Sequence, residues 1–154
     1  RGTNGGLPAV ISTLKELAPA AEQIGQLVLV ENHAGNVLEN IGDYEEIFAA
    51  IDSPNVGLCL DTGHFVGAGV DLDEVIRKFH ARTLHLDLKD TEAFGKYRTV
   101  HYGTGAVDLH RCVKQLLAHG YSGYLLLEQA PPLSKDTLLA DLKRGYEMFK
   151  VYER

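Results

Sequence analysis

The amino-acid sequence predicts an α/β protein whose strands form one parallel sheet. Three observations carry that expectation. Short, branched, apolar segments recur along the chain, segments with helical spacing separate them, and Gly or Asp marks many of the joins.

The elements follow in order. Residues 7–24 place Leu7, Val10, Ile11, Leu14, Leu17 and Ala21 on one helix face, and Gly25 breaks the pattern. Residues 26–31 (QLVLVE) are almost wholly apolar, the pattern of a strand buried on both faces. Residues 43–51 form a second helix with Asp43 as its cap and Glu46 three positions on. Residues 56–61 (VGLCLD) are a second buried strand, and 72–79 a helix capped by Asp71. Residues 83–88 (TLHLDL) alternate polar and apolar as a third strand. Residues 109–119 form a helix closed by Gly120, 124–128 (YLLLE) a fourth strand, and 135–152 a long last helix. The stretch 91–105 carries no clear pattern, and a loop of that length in a compact domain is usually functional or mobile. Strands alternating with helices imply right-handed crossovers, and the interval from Glu31 to Asp61, about thirty residues, suits one βα unit.

The chain reads as one domain over residues 1–154, 45% hydrophobic with 16 glycines and 5 prolines, an ordinary globular composition. Its formal net charge of −6 argues against a nucleic-acid partner, which calls for an excess of Lys and Arg. No apolar run approaches the roughly 20 residues of a membrane span. Cys59 and Cys112 lie in apolar segments without a CxxC pairing and are expected as buried free thiols. With no signal-peptide pattern at the start, these features suit a cytoplasmic protein acting on a small molecule. The opening lacks an initiator methionine, so the chain is expected to be truncated at its N-terminus.

Each predicted strand ends on a polar group: Glu31, Asp61 followed by Thr62-Gly63-His64, the run His85-Leu86-Asp87-Leu88-Lys89, and Glu128. In parallel α/β folds these strand ends share one edge, so the side chains should converge. Carboxylates gathered in this way repel unless a cation lies between them, and the set suits one divalent ion, Mn²⁺, Mg²⁺, Co²⁺ or Zn²⁺. A lone acidic strand end is more often a helix cap or a loop acceptor, and it is the succession of four that argues for a shared site. His85, Asp87 and Lys89 fall on one strand face, so either His85 or Asp87 is a ligand and the other its hydrogen-bond partner. His64 is expected to contact substrate. His33, His101, His110 and His119 read as loop or helix-surface residues, Tyr121 and Tyr124 as packing residues, and Gly103-Thr104-Gly105 as a flexible turn.

The segments VLVEN, VGLCLDTGHF, LHLDLKD, GTGAVDL and GYSGYLLLE resemble, in that order, the C-terminal half of the sugar phosphate isomerase/epimerase family. That is the xylose isomerase-like TIM barrel group. The resemblance implies the parallel (β/α) units of a TIM-type barrel, with the four C-terminal strands only, a half barrel completed by a second chain or by more of its own. It implies a homo-oligomer or part of a longer chain, a sugar-like substrate, and one divalent metal on Glu31, Asp61, the His85/Asp87 position and Glu128. It also implies Glu31 and Glu128 as the acid/base pair of a metal-dependent isomerase or epimerase, with His64 and Lys89 binding substrate. Where the family commonly reads His-x-Lys-Asp, this chain has Asp87, with His85 two residues earlier; either the ligand is the aspartate, a set that would shift preference toward Mg²⁺ or Mn²⁺, or His85 has taken over. The competing readings are a phosphodiester hydrolase of the AP-endonuclease type on the same barrel, and a half barrel that binds metal without chemistry.

Overall fold

The computed structural model describes residues 5–129 and 134–153; the opening residues 1–4 lie outside it. Four strands, β1 (Val28–Glu31), β2 (Val56–Asp61), β3 (Thr83–Leu88) and β6 (Leu125–Leu127), form one all-parallel sheet in the order β1-β2-β3-β6. Helices α1 (Gly6–Ile24), α2 (Ile41–Ala50), α4 (Leu72–Phe79), α5 (Leu109–Ala118) and α6 (Lys135–Phe149) supply the crossovers and flanks. The βα alternation and the parallel sheet are those expected from the periodicity.

Side-chain parity along the strands sets the two faces of the sheet. Leu58, Leu60, Leu86 and Leu88 turn to the helical side, where they are fully buried with Tyr44, Ile47, Phe65, Val75 and Leu116. The opposite parity carries Leu29, Glu31, Cys59, Asp61, His85, Asp87 and Leu126. Register puts Glu31 beside Cys59 and Cys59 beside His85; the next row joins Asp61, Asp87 and Leu126. This second face is open. Leu29 is 40% and Leu126 48% exposed, so β1 is not buried on both faces as its composition predicts, because nothing among the described residues covers it. The outer edges of β1 and β6 likewise have no strand partner among the described residues.

Three local details differ from the sequence reading. The cap of α2 is Asn40, and Asp43 sits at the third helical position, where its Oδ2 accepts from the Asn40 and Glu39 backbone N–H groups at 2.8 and 2.9 Å. A short helix, α3 (Thr62–Gly67), follows β2 directly, too brief to show a period. The patternless stretch after Lys89 holds an antiparallel hairpin, β4 (Thr91–Ala93) and β5 (Lys96–Thr99), turning at Gly95 with φ +76°. Its strands are short and polar, so no alternation announces them. Gly67 lets α3 pack on this hairpin, since a Cβ there would lie 2.3 Å from the Tyr97 Cβ. Asp71 caps α4 as expected, accepting from Asp73 N–H at 2.9 Å. Cys59 and Cys112 are buried free thiols, and no described helix is long and apolar enough to cross a membrane.

Asp90 braces the segment that leads from the hairpin to α5. Fully buried, its carboxylate accepts four backbone N–H groups: Thr91 at 2.9 Å and Val107 at 3.2 Å on Oδ1, Gly103 at 3.0 Å and Gly105 at 2.9 Å on Oδ2. A Cβ at Gly105 would lie 2.3 Å from Asp90 Oδ1, so the Gly103-Thr104-Gly105 turn is built around this side chain. Asp90→Ala leaves those four donors unpaired. We expect a stability loss of about 3 kcal/mol or more by urea unfolding, with amide protection lost first over residues 101–107; unchanged exchange there would contradict the brace.

Candidate metal centre

The strand ends are tied together by side chains that reach past the sheet ladder. Asn32, just beyond β1, grips the backbone of Asp61 from both sides: its Nδ2 donates to the Asp61 carbonyl at 2.9 Å, and its Oδ1 accepts from the Asp61 N–H at 2.8 Å. Thr62 does the same across β2 and β3, its Oγ1 donating to the Lys89 carbonyl at 2.7 Å and accepting the Lys89 N–H at 2.9 Å. The buried Tyr102 hydroxyl lies 2.9 Å from the carbonyls of both Leu88 and Glu128, at the tips of β3 and β6. Sequence reading missed Tyr102; its place in an unpatterned loop gave no signal.

On this pinned edge Glu31, Asp61 and Glu128 converge, with carboxylate oxygens within 4.8 Å of one another. Two unit charges at that separation repel by about 3–4 kcal/mol at an effective dielectric near 20. Lys89 relieves the repulsion: its Nζ lies 2.7 Å from Asp61 Oδ2 and 2.8 Å from Glu128 Oε1. Burial pulls the Lys89 ammonium down, but Asp61 and Glu128 outweigh it and hold its pKa above the ordinary value. Burial pushes Asp61 up against the opposing pull of Lys89. Glu31 is also raised, by burial first and then by the Glu128 and Asp87 charges.

Asp61 has a second task. Its Oδ1 accepts the His64 N–H at 2.8 Å and so caps α3, which brings His64 to the rim. The His64 ring stacks on His33 with centroids 3.9 Å apart. Its Nδ1 accepts from the Ala34 N–H at 3.4 Å, leaving the ring proton on Nε2, which faces Asp61 Oδ2 at 3.9 Å. Burial, Lys89 and His33 depress its pKa to about 3, so the ring is neutral at physiological pH. His33, read from sequence as a loop residue, is thus part of the rim.

The structure places His85 and Asp87 together, but in a separate group. His85 Nε2 is 3.1 Å from Asp87 Oδ1, and the Cys59 thiol donates to Asp87 Oδ2 at 3.0 Å. Among the other sequence candidates, His101 pairs with the buried Asp141 at 3.2 Å, and His119 stacks on His80. Tyr121 packs in the core, whereas Tyr124, just before β6, is 81% exposed.

A divalent cation fits the Glu31, Asp61 and Glu128 set. All three donors are carboxylates, they come from three different strands, and the space between two of them already accommodates a positive group. Lys89→Met removes that group. We expect a lower melting temperature for this variant in chelator and a larger stabilisation by Mn²⁺ or Mg²⁺ than the parent shows. Equal responses of the two proteins to cation would argue against a shared seat.

A family model described as xylose isomerase-like TIM barrel matches residues 3–150. An inosose dehydratase of Clostridium perfringens is 27% identical over 151 residues, an alignment covering 86% of this chain and 51% of that protein. An inosose isomerase of Halalkalibacterium halodurans is 29% identical over 129 residues, covering 79% of this chain and 46% of that one. The chain spans about half the length of the curated relatives it matches. Among solved structures, the IOLI protein with a binding zinc atom superposes with a TM-score of 0.77 at 24% identity, over 93% of this chain and 56% of that one. At that identity the likeness speaks for the fold.

Proposed function

The chain belongs to the xylose isomerase-like TIM barrel family, and on that premise we propose that it carries the metal-binding, proton-transferring half of a sugar isomerase or epimerase site. The observation that supports the reading is the convergence of Glu31, Asp61 and Glu128 on one pinned strand edge around a single positive charge. Relatives named for inosose chemistry point to a polyhydroxylated carbonyl compound as substrate class.

Glu31, Asp61 and Glu128, with His85 or Asp87 from the third strand, would hold the divalent cation, Mn²⁺, Mg²⁺, Co²⁺ or Zn²⁺. When bound, it supplies Lewis acidity toward a substrate carbonyl and its neighbouring hydroxyl. The proton chemistry belongs to the carboxylates. Glu31 has its pKa raised by burial and by its acidic neighbours, which moves it toward the range where a group both takes and returns a proton. In the proposed reaction one of Glu31 and Glu128 removes the proton from the carbon beside the carbonyl, and the other delivers a proton to give the product. No net proton is gained or lost. His64, neutral with its proton on Nε2, donates to a substrate oxygen. Lys89 is the cation placed to bind a second oxygen. The open inner face, with Leu29 and Leu126 exposed, must be covered for water to be excluded, by a second copy or by further chain.

Glu128→Gln keeps the size and one carbonyl oxygen of the side chain but cannot carry a proton. We expect turnover to fall by roughly 10²–10⁴-fold, with cation affinity weakened far less, measured by isomerisation kinetics beside calorimetric metal titration. Normal turnover in this variant would remove Glu128 from the reaction.

A further inference from the structure

Cys59 and His85, one row below Asp61 and level with Glu31, form with Asp87 a second group of different chemistry on the inner face of the sheet. Cys59 and His85 are register partners on β2 and β3, and Asp87 follows on the same face of β3. Donor atoms of the three lie within 4.8 Å of one another. The closest approaches are Cys59 Sγ to Asp87 Oδ2 at 3.0 Å and His85 Nε2 to Asp87 Oδ1 at 3.1 Å. Around a tetrahedral zinc ion, bonds of about 2.0–2.3 Å set ligand atoms about 3.3–3.6 Å apart. The two closest pairs lie just inside that spacing and all three donors lie within 4.8 Å, so small side-chain adjustments suffice to form a coordination shell. The three side chains sit on rigid strands, and Cys59 and Asp87 are buried.

We propose that Cys59, His85 and Asp87 form a second cation site, selective for thiophilic divalent ions of the Zn²⁺ class, with its fourth position open to the interior face. This goes beyond the proposed reaction, which does not use Cys59. His85 or Asp87 also serves the Glu31, Asp61 and Glu128 site in the proposed reaction, so Cys59 is the ligand particular to this second site. The donor set is mixed, one sulfur, one nitrogen and one carboxylate oxygen, and it favours zinc or cobalt over Mg²⁺ or Mn²⁺. Binding breaks the Cys59 S–H bond. The sulfur lone pair goes to the metal, and the proton leaves to solvent. The Asp87 oxygens, freed from the thiol and imidazole, turn from hydrogen-bond acceptors into ligands, and the carboxylate has lone pairs enough to be shared with a cation in the upper site. His85 binds through Nε2, so the proton that Nε2 gives to Asp87 Oδ1 in the metal-free state moves by exchange with solvent to Nδ1, leaving a neutral ring.

The alternative is a hydrogen-bonded brace that never takes up metal, and spectroscopy separates the two. The protein is stripped with chelator and titrated with Co²⁺ while its absorption is followed. With Mg²⁺ in excess to occupy the carboxylate site, the expected result is a thiolate-to-cobalt charge-transfer band in the near ultraviolet that saturates at one equivalent and is displaced by Zn²⁺. Cys59→Ser should abolish the band and weaken zinc binding by about a hundredfold or more, beyond the 10–100-fold typical of losing a ligand's partner. Cys112→Ser should keep the band, as should Glu128→Gln, which alters only the upper site, so failure of the reaction and failure of this site give different readings. Should Cys59→Ser not fold, His85→Gln retains the thiol and should shift the band and weaken zinc binding. Cobalt uptake without a charge-transfer band, or a band that survives Cys59→Ser, would overturn the proposal.

Discussion

Asp61 is the residue on which the rest of the edge depends. It ends β2, its backbone is clasped by Asn32 from β1, its Oδ1 starts α3, and its Oδ2 takes the Lys89 ammonium from β3. A fully buried carboxylate with no compensation would cost several kcal/mol of desolvation. Here two charge-assisted bonds offset that cost, and both come from elements that must then lie where they do. Satisfying one buried charge therefore fixes β2, β3 and a helix relative to one another, and the Asn32 clasp on the Asp61 backbone adds β1. Glu31 and Glu128 flank this point, and their mutual repulsion is held in place by the same ties.

That arrangement explains how a sheet edge can collect like charges without unravelling. Ladder hydrogen bonds end at Glu31, Asp61, Leu88 and Leu127, and past them strands would ordinarily splay. Asn32, Thr62 and Tyr102 continue the pairing with side chains, each joining the tips of two strands. Asp90 then folds the following segment back under the edge through four backbone amides. The polar residues just after the strands are thus divided between those that hold the edge shut and those left to face the open side.

The division was only partly legible in the amino-acid sequence. Strands β2 and β3 and helix α4 have the boundaries their periodicity predicts, because apolar positions there face a continuous core. The convergence of Glu31, Asp61 and Glu128 was readable too, since parallel strands share one carboxyl edge whatever the details. Asp43 was misplaced as a cap because Asn40, three residues earlier, competes for the same role, and only backbone direction decides between them. The hairpin after Lys89 escaped notice because its side chains are mostly exposed and polar. Lys89 read as a substrate ligand; that its ammonium lies between two carboxylates depends on a strand-to-strand distance no local pattern encodes. Cys59 read as a small apolar core residue for the same reason.

Parity along the strands gives the open face a layered chemistry. Asp61 and Asp87 share one row beside the Lys89 ammonium; one row in, Glu31 lies level with the Cys59 thiol and the His85 imidazole; below these come Gly57 and Leu29, which bring no polar group. The sulfur and nitrogen donors thus sit one row in from the Asp61 and Asp87 oxygens, with the Glu31 carboxylate beside them, and the polar donors end above Leu29. Leu29 and Leu126 border these donors and are the positions where a covering surface would have to be apolar. Excluding water there would strengthen every charge interaction above it, since the same carboxylates that are moderated by solvent at an open edge act at closer to full strength in a closed one. The chain's own residues thus set the order of the site's chemistry, while the closure of the open face sets its strength.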